Sequence, residues 1–178
     1  MSGIDGSLAR RVFECAHLTG EFRLRSGALS TVYFDKYRFE ADPQLLRDLA
    51  ERLAILVPDG ADALAGLELG GVPLATVTSQ ITGLPTLFVR KEPKTYGTCN
   101  LAEGGDVSGR RIVVIEDVVT SGGQVIESCA ALRELGATVE HVACVIDRQA
   151  GGRERLARHG LALRSIFTQR DLRDAATT

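Results

Sequence analysis

The stretch Arg111-Ile112-Val113-Val114-Ile115-Glu116-Asp117-Val118-Val119-Thr120-Ser121-Gly122-Gly123-Gln124 sets the fold of this 178-residue chain. Its apolar run predicts a buried strand that carries two acids, Glu116 and Asp117, to its carboxyl end. A loop of small residues then leads straight into a helix. In open α/β sheets that end of the strands is where ligands bind. Thr120, Ser121, Gly122 and Gly123 can turn successive N–H groups and hydroxyls toward one anion, and the helix N-terminus adds its partial positive charge. That combination is a phosphate cradle. Two adjacent carboxylates would repel a phosphate unless they faced other groups, and ribose hydroxyls or a magnesium ion are suitable partners. Singly, Asp117 and Thr120 could be mere helix caps and the glycines mere turns. Their order along the chain favours a sugar-phosphate site instead. The chain has neither G-x-x-x-x-G-K-[ST] nor G-x-G-x-x-G, which excludes the P-loop ATPase and dinucleotide-dehydrogenase readings.

Outward from this stretch, strand and helix patterns alternate. A helix is predicted over 8–18, with Leu8, Val12, Cys15 and Ala16 on one face and Ser7 as N-cap. Alternation over 21–40 predicts two short strands around Ser26-Gly27. Asp42-Pro43 opens a helix whose buried stripe is Leu45, Leu46, Leu49, Leu53 and Leu56, ending near Val57-Pro58. Strands over 63–69, 85–90, 111–115, 138–147 and 161–168 alternate with helices over 72–81, 123–135 and 153–159, and 91–106 reads as a polar loop. Such alternation predicts a mainly parallel sheet with helices on both faces. One domain is expected: a helix and hood segment over 1–40, an α/β core over 41–170 and a disordered tail over 171–178.

The 21 Lys and Arg nearly balance the 23 Asp and Glu, so there is no basic excess to hold a nucleic-acid backbone. The apolar runs are far shorter than the ~20 residues of a membrane span. The start Met1-Ser2-Gly3-Ile4-Asp5 lacks a basic and an apolar leader region, from which a cytoplasmic location is expected. Cys15, Cys99, Cys129 and Cys144 form no C-x-x-C pair and read as free thiols of a reducing compartment. His17, His141 and His159 lack metal-ligand spacing, so no structural metal is expected.

Val113 to Gln124 resembles the signature with which type I phosphoribosyltransferases bind 5-phosphoribosyl 1-diphosphate (PRPP). The resemblance implies that Glu116 and Asp117 hold the ribose hydroxyls, that Thr120, Ser121, Gly122, Gly123 and Gln124 hold the 5′-phosphate, and that Val118 and Val119 also belong to the PRPP site. It also implies that fold, a doubly wound sheet with a small hood.

Four further stretches are similar to orotate phosphoribosyltransferases. Arg90-Lys91-Glu92-Pro93-Lys94-Thr95-Tyr96-Gly97 resembles the family's catalytic loop, R-K-x-x-K-x-[HY]-G. Charge runs are ordinarily solvated, but a mobile cationic loop closing over departing diphosphate would stabilise the transition state and exclude water. Lys94, Arg90 and Lys91, with Asp117, are thus the catalytic candidates, and Tyr96 stands where many relatives have His. Phe22-Arg23-Leu24-Arg25-Ser26-Gly27, followed by Ser30-Thr31-Val32-Tyr33-Phe34-Asp35, resembles a segment whose lysine contacts PRPP and whose aromatic pair lies over the base. Arg25 takes the lysine position, and a planar guanidinium differs from a compact ammonium. Gly66-Leu67-Glu68-Leu69-Gly70-Gly71 resembles the loop that meets the diphosphate with main-chain N–H groups; a lysine of some members is Gly70 here. Asp147-Arg148-Gln149 resembles the D-R-Q whose arginine faces the orotate carboxylate, a partner suited to a planar fork.

By this resemblance Tyr33, Phe34, Thr120 and Arg148 would bind orotate, and Leu69, Gly70 and Gly71 the diphosphate. Magnesium would arrive with PRPP, without a dedicated protein cage, and a homodimer would share the catalytic loop across its interface. The partners expected are PRPP and orotate, with no nucleic acid and no membrane. Two alternatives stay open: transfer to another base, with Arg148 structural, and a non-catalytic PRPP-sensing regulator. The second would ordinarily carry a DNA-binding module and could dispense with the loop cations, whereas this chain keeps Arg90, Lys91 and Lys94 and shows no spare domain.

Overall fold

The computed structural model describes residues 3–23, 27–92 and 101–177. Helix α1, Gly3–Ala16, leads into a hairpin of β1, His17–Arg23, and β2, Leu29–Phe34. These two strands pair antiparallel, with His17 opposite Phe34 and an irregularity between Thr19 and Phe22. A short α2, Tyr37–Ala41, precedes α3, Pro43–Leu56. Asp42 caps α3 as its sequence predicts: its Oδ1 accepts from the Gln44 and Leu45 N–H groups, each at 2.9 Å.

The core then unfolds as β3, Ala63–Leu67, α4, Gly71–Thr82, β4, Thr86–Val89, β5, Ala102–Glu103, and β6, Arg111–Val119. It continues through α5, Gly123–Glu134, β7, Thr138–Asp147, α6, Gly152–Arg158, β8, Ala162–Thr168, and α7, Gln169–Ala176. The six-stranded sheet runs β5-β4-β3-β6-β7-β8 and is parallel except for the edge pair β4 and β5.

Successive side chains of a strand point to opposite faces, and this alternation divides the interior in two. Ile112, Val114 and Cys144 face Val125, Cys129 and Leu132 of α5 and Leu156 of α6. Val113, Ile115 and Val145 face Val12 of α1, Leu49 and Leu53 of α3 and Leu74 of α4. Both faces of the sheet are therefore covered, as a parallel sheet requires.

The structure departs from expectation at several boundaries. Strand β3 stops at Leu67, β6 runs four residues past Ile115, and the expected loop contains the edge strand β5. The tail is corrected more fully. Instead of a disordered 171–178, residues Gln169–Ala176 form α7, started by a capping box in which Thr168 and Asp171 bond reciprocally. Leu172 anchors this helix, buried in the same cluster as Val12 of α1.

Candidate active site

Chain order places the site. From β3 the chain moves to β4 on one side of the sheet, whereas β6, on the other side of β3, leads on to β7 and β8. A crevice opens at such a switch point, beyond the carboxyl ends of the two central strands. The loop after β3, carrying Leu69, Gly70 and Gly71, and the loop after β6, carrying Thr120 to Gly122, therefore flank one crevice.

At the end of β6, Asp117 is fully buried. Its Oδ1 accepts from the Val118 N–H at 2.5 Å and its Oδ2 lies 2.5 Å from Lys36 Nζ. Glu40, buried on α2, and Glu116 crowd the same spot. Burial first, and the Asp117 carboxylate second, push the Glu40 carboxyl up to about 9. The same two causes raise Glu116 well above the ordinary carboxylate range. Burial and crowding thus disfavour ionisation of both acids, and the Lys36 ammonium pairs with Asp117 beside them. Gly70 sits directly on this cluster: a Cβ there would lie 1.7 Å from Asp117 Oδ2 and 2.8 Å from Glu40 Oε1. Gly71 is equally tight, since its Cβ would come within 2.3 Å of the Ile115 carbonyl oxygen. Glycine at both positions lets the loop backbone approach the acids.

Thr120 and Ser121 are exposed, and Gly122 turns the chain with φ 73, a left-handed conformation suited to glycine. As N-cap of α5, Gly122 offers no side chain to the first N–H groups of that helix. Those donors remain available to an anion. Behind the loop, α6 closes so tightly that a Cβ on Gly152 would lie 2.4 Å from the Thr120 carbonyl oxygen.

Arg148 lies next to this loop because its N–H bonds the Val119 carbonyl across β6 and β7. Asp147 helps to turn it. One Asp147 oxygen accepts from the Gln149 N–H at 2.8 Å, the other from Arg153 Nε at 3.1 Å, and Gln149 takes φ 54. The Arg148 guanidinium donates through Nε to Gln169 Oε1 at 3.0 Å. It lines a cavity of about 530 Å³ together with Phe13, His17, Tyr33, Phe34 and Gln169. Tyr33 stacks on Phe22 with ring centroids 5.5 Å apart and is 43% exposed, whereas Phe34 packs partly into the core. Aromatic faces beside a guanidinium suit a flat, acidic ligand.

Arg90 follows β4 with its Nε 3.9 Å from Glu103 Oε1, and the Lys91 N–H donates to Glu68 Oε2 at 3.2 Å. Arg25, Lys94 and Tyr96 lie outside the described residues. The structure thus brings together Glu116, Asp117, Gly70 and Gly71 in one cluster, and Tyr33, Phe34 and Arg148 around one cavity. Sequence reasoning missed Lys36, Glu40 and Gln169. Lys36 stands directly after the quoted segment ending in Asp35, and Gln169 lies inside the Thr168-x-x-Asp171 capping pattern, a local signal that marks a helix start there.

Comparison with known proteins bears on the same residues. The phosphoribosyl transferase domain family matches residues 38–159. The orotate phosphoribosyltransferase of Nocardioides sp. (strain ATCC BAA-499 / JS614) is 54% identical over 173 residues, 97% of this chain and 96% of that protein. The orotate phosphoribosyltransferase of Halobacterium salinarum is 45% identical, over 88% and 89% of the two chains. Among solved structures, Mycobacterium tuberculosis orotate phosphoribosyltransferase with inorganic phosphate superposes with a TM-score of 0.85 at 30% identity, covering 96% of this chain and 99% of that one. The same enzyme in complex with PRPP gives a TM-score of 0.77 at 28% identity, covering 97% and 93%. By the family match over residues 38–159 and by these relatives over nearly its whole length, the chain belongs to the phosphoribosyltransferases and, within them, to the orotate phosphoribosyltransferase family.

Proposed function

We propose that the protein transfers the 5-phosphoribosyl group of PRPP to orotate, giving orotidine 5′-monophosphate and diphosphate, a step of pyrimidine nucleotide synthesis. The observation that carries this reading is the adjacency of the Thr120–Gly122 loop and Arg148, fixed by the Val119 to Arg148 hydrogen bond at 2.9 Å. A phosphate at the N-terminus of α5 and a carboxylate at Arg148 would be the two ends of one reacting pair, the sugar phosphate and the base. Relatives named for orotate over nearly the whole chain support the choice of base.

In this mechanism Thr120 to Gln124 hold the 5′-phosphate, and Glu116 and Asp117 hold the ribose hydroxyls. Leu69, Gly70 and Gly71 turn backbone N–H groups to the diphosphate. Tyr33, Phe34 and Thr120 hold the orotate ring, and Arg148 takes its carboxylate. As the bond from ribose C1 to diphosphate breaks, positive charge grows on the sugar and negative charge on the leaving group. Arg90, Lys91 and Lys94, joined by Arg25 and Tyr96, would meet that negative charge. The protein contributes position and electrostatics, and no covalent nucleophile is required.

Magnesium would travel with the diphosphate of PRPP and supply charge neutralisation there. The Glu116 Oε2, buried without a hydrogen-bond partner, fits the role of ordering hydroxyl or water donors at that ion's edge. We further propose a homodimer in which loop 91–105 of each subunit closes over the partner's site, working in the cytoplasm on small molecules, without nucleic acid or membrane partners. No helix among the described residues is long and apolar enough to cross a membrane.

The test is consumption of orotate by the purified protein with PRPP and magnesium, run beside uracil, hypoxanthine and adenine. Orotate should be used with the highest kcat/KM. A higher value for another base would overturn the assignment to orotate.

A further inference from the structure

The loop Leu69–Gly71 faces the proposed diphosphate position with no charged side chain of its own. Position 70 could not carry one, because the space a Cβ would need is occupied by the Asp117 carboxylate. A cation nevertheless reaches the spot from another element. Lys36, the residue before α2, places Nζ 2.5 Å from Asp117 Oδ2 while a third of its side chain stays exposed. Its ammonium also lies 5.2 Å from the centroid of the Tyr37 ring. Lys36 therefore spans the boundary between three crowded carboxyls, Glu40, Glu116 and Asp117, and the open crevice.

Resting on the phosphoribosyl reading, we infer that Lys36 is a positioning residue of the PRPP site: through its ion pair it fixes the Asp117 carboxylate for the ribose hydroxyls, and it supplies the positive charge that loop Leu69–Gly71 lacks. Stability alone gives a poor account of the pair. Bringing a lysine and an aspartate together in a buried place recovers little net free energy after desolvation, and an apolar pair could hold α2 against β6 as well. A charged pair at the rim of a crevice, by contrast, can exchange partners. When the ribose hydroxyls donate to Asp117, the partly exposed ammonium is released in part to meet the anionic diphosphate. Burial works against the Lys36 ammonium, yet Asp117, with Glu116 and Tyr37 behind it, outweighs burial and holds its pKa above the ordinary lysine value. Lys36 is thus a full cation throughout the working range.

The experiment compares Lys36→Gln, Lys36→Arg and wild type by PRPP titration calorimetry and steady-state kinetics, with a thermal unfolding midpoint as a folding control. Lys36→Gln should raise both Kd and KM for PRPP by about 10–100-fold, the range for losing a residue that orients a ligand group. KM for orotate should stay within about twofold, and Lys36→Arg should restore most of the loss, because only PRPP meets this charge. If Lys36→Gln does not fold, Lys36→Met in the Asp117→Asn background removes both charges together. A residue acting partly through Asp117 then adds a smaller loss to Asp117→Asn than the roughly 10–100-fold expected in the wild-type background, and an equal or larger added loss would overturn the inference. Unchanged PRPP affinity in folded Lys36→Gln would also overturn it, while leaving the transferase reading intact. Failure of the wild-type protein to bind PRPP would overturn both.

Discussion

The carbonyl oxygen of Val119 accepts the Arg148 N–H at 2.9 Å, joining the Thr120–Gly122 loop to a residue that lines the cavity beside Tyr33 and Phe34. Both groups sit at the ends of adjacent parallel strands whose register pairs Val118 with Ile146 and Val119 with Asp147. In the proposed reaction the separation of the sugar phosphate and the base would therefore be set by the sheet register rather than by two independent loops. Precise placement of two reactants is the main catalytic resource of an enzyme without a nucleophile.

Asp117→Asn combined with Thr120→Ala keeps the shape of residue 117 while removing the charge that pairs with Lys36 and an exposed loop hydroxyl. PRPP affinity should fall by about 100–1000-fold, the cost of two charge-assisted hydrogen bonds. Titration calorimetry on the folded double variant measures this, and an affinity equal to wild type would remove both residues from the site.

Arg148→Ala should raise KM for orotate and narrow the preference for orotate over uracil, which lacks the carboxylate. The loss expected is about 2–5 kcal/mol if the ion pair forms away from water. Competition kinetics with the two bases gives the ratio directly. Gln169→Leu, which frees the Arg148 Nε, should lower the same ratio by a smaller factor.

Glu40 gives the site a pH signature. Its folded pKa, about 9, lies above the ordinary glutamate value of 4.5, because burial and Asp117 oppose ionisation. A group with a raised folded pKa contributes stability that is full at low pH and is lost as pH climbs through the folded value. Wild type should accordingly weaken between pH 5 and pH 9, at up to about 1.4 kcal/mol per pH unit for one proton. Glu40→Gln should flatten that slope and be the more stable protein at pH 8. Urea unfolding at pH 5, 7 and 8.5 measures both curves, and parallel curves would mean that Glu40 is ionised in the fold.

The proposed sharing of the catalytic loop predicts complementation. Lys94→Ala should reduce kcat by about 10²–10³ and Asp117→Asn should weaken PRPP binding severely, so that each is nearly inactive alone at subsaturating PRPP. A verified heterodimer of the two contains one intact centre and should recover about half of wild-type activity. Heterodimers as inactive as their parents would place the loop over its own subunit.

Much of this architecture is legible in the sequence because periodicity reports burial. The apolar run ending at Ile115 and the Asp42-Pro43 start with its leucine stripe each fix an element within a few residues. What escaped has physical reasons. Helix α2 spans five residues, too few for a helical period to show. Helix α7 buries only Leu172, so its polar composition looked like a frayed end. Strand β6 continues through Glu116 and Asp117, where polar residues hide its last turn of pleat from hydropathy. The acid pair and Arg148 were legible as motifs. Lys36 and Glu40 were not, since their significance lies in contact with Asp117, far along the chain, and no local pattern encodes it.

The clearance at Gly70 also has a historical consequence. A side chain at position 70 and a carboxylate at position 117 compete for the same volume, since even a methyl carbon would overlap Asp117 Oδ2 at 1.7 Å. Any lineage descending from this backbone must therefore move one before it can enlarge the other. A lysine could enter loop Leu69–Gly71 only after the local chain had shifted, and by then the charge carried by Lys36 would be redundant. A side chain at position 70 therefore requires the Asp117 carboxylate or the local backbone to move first.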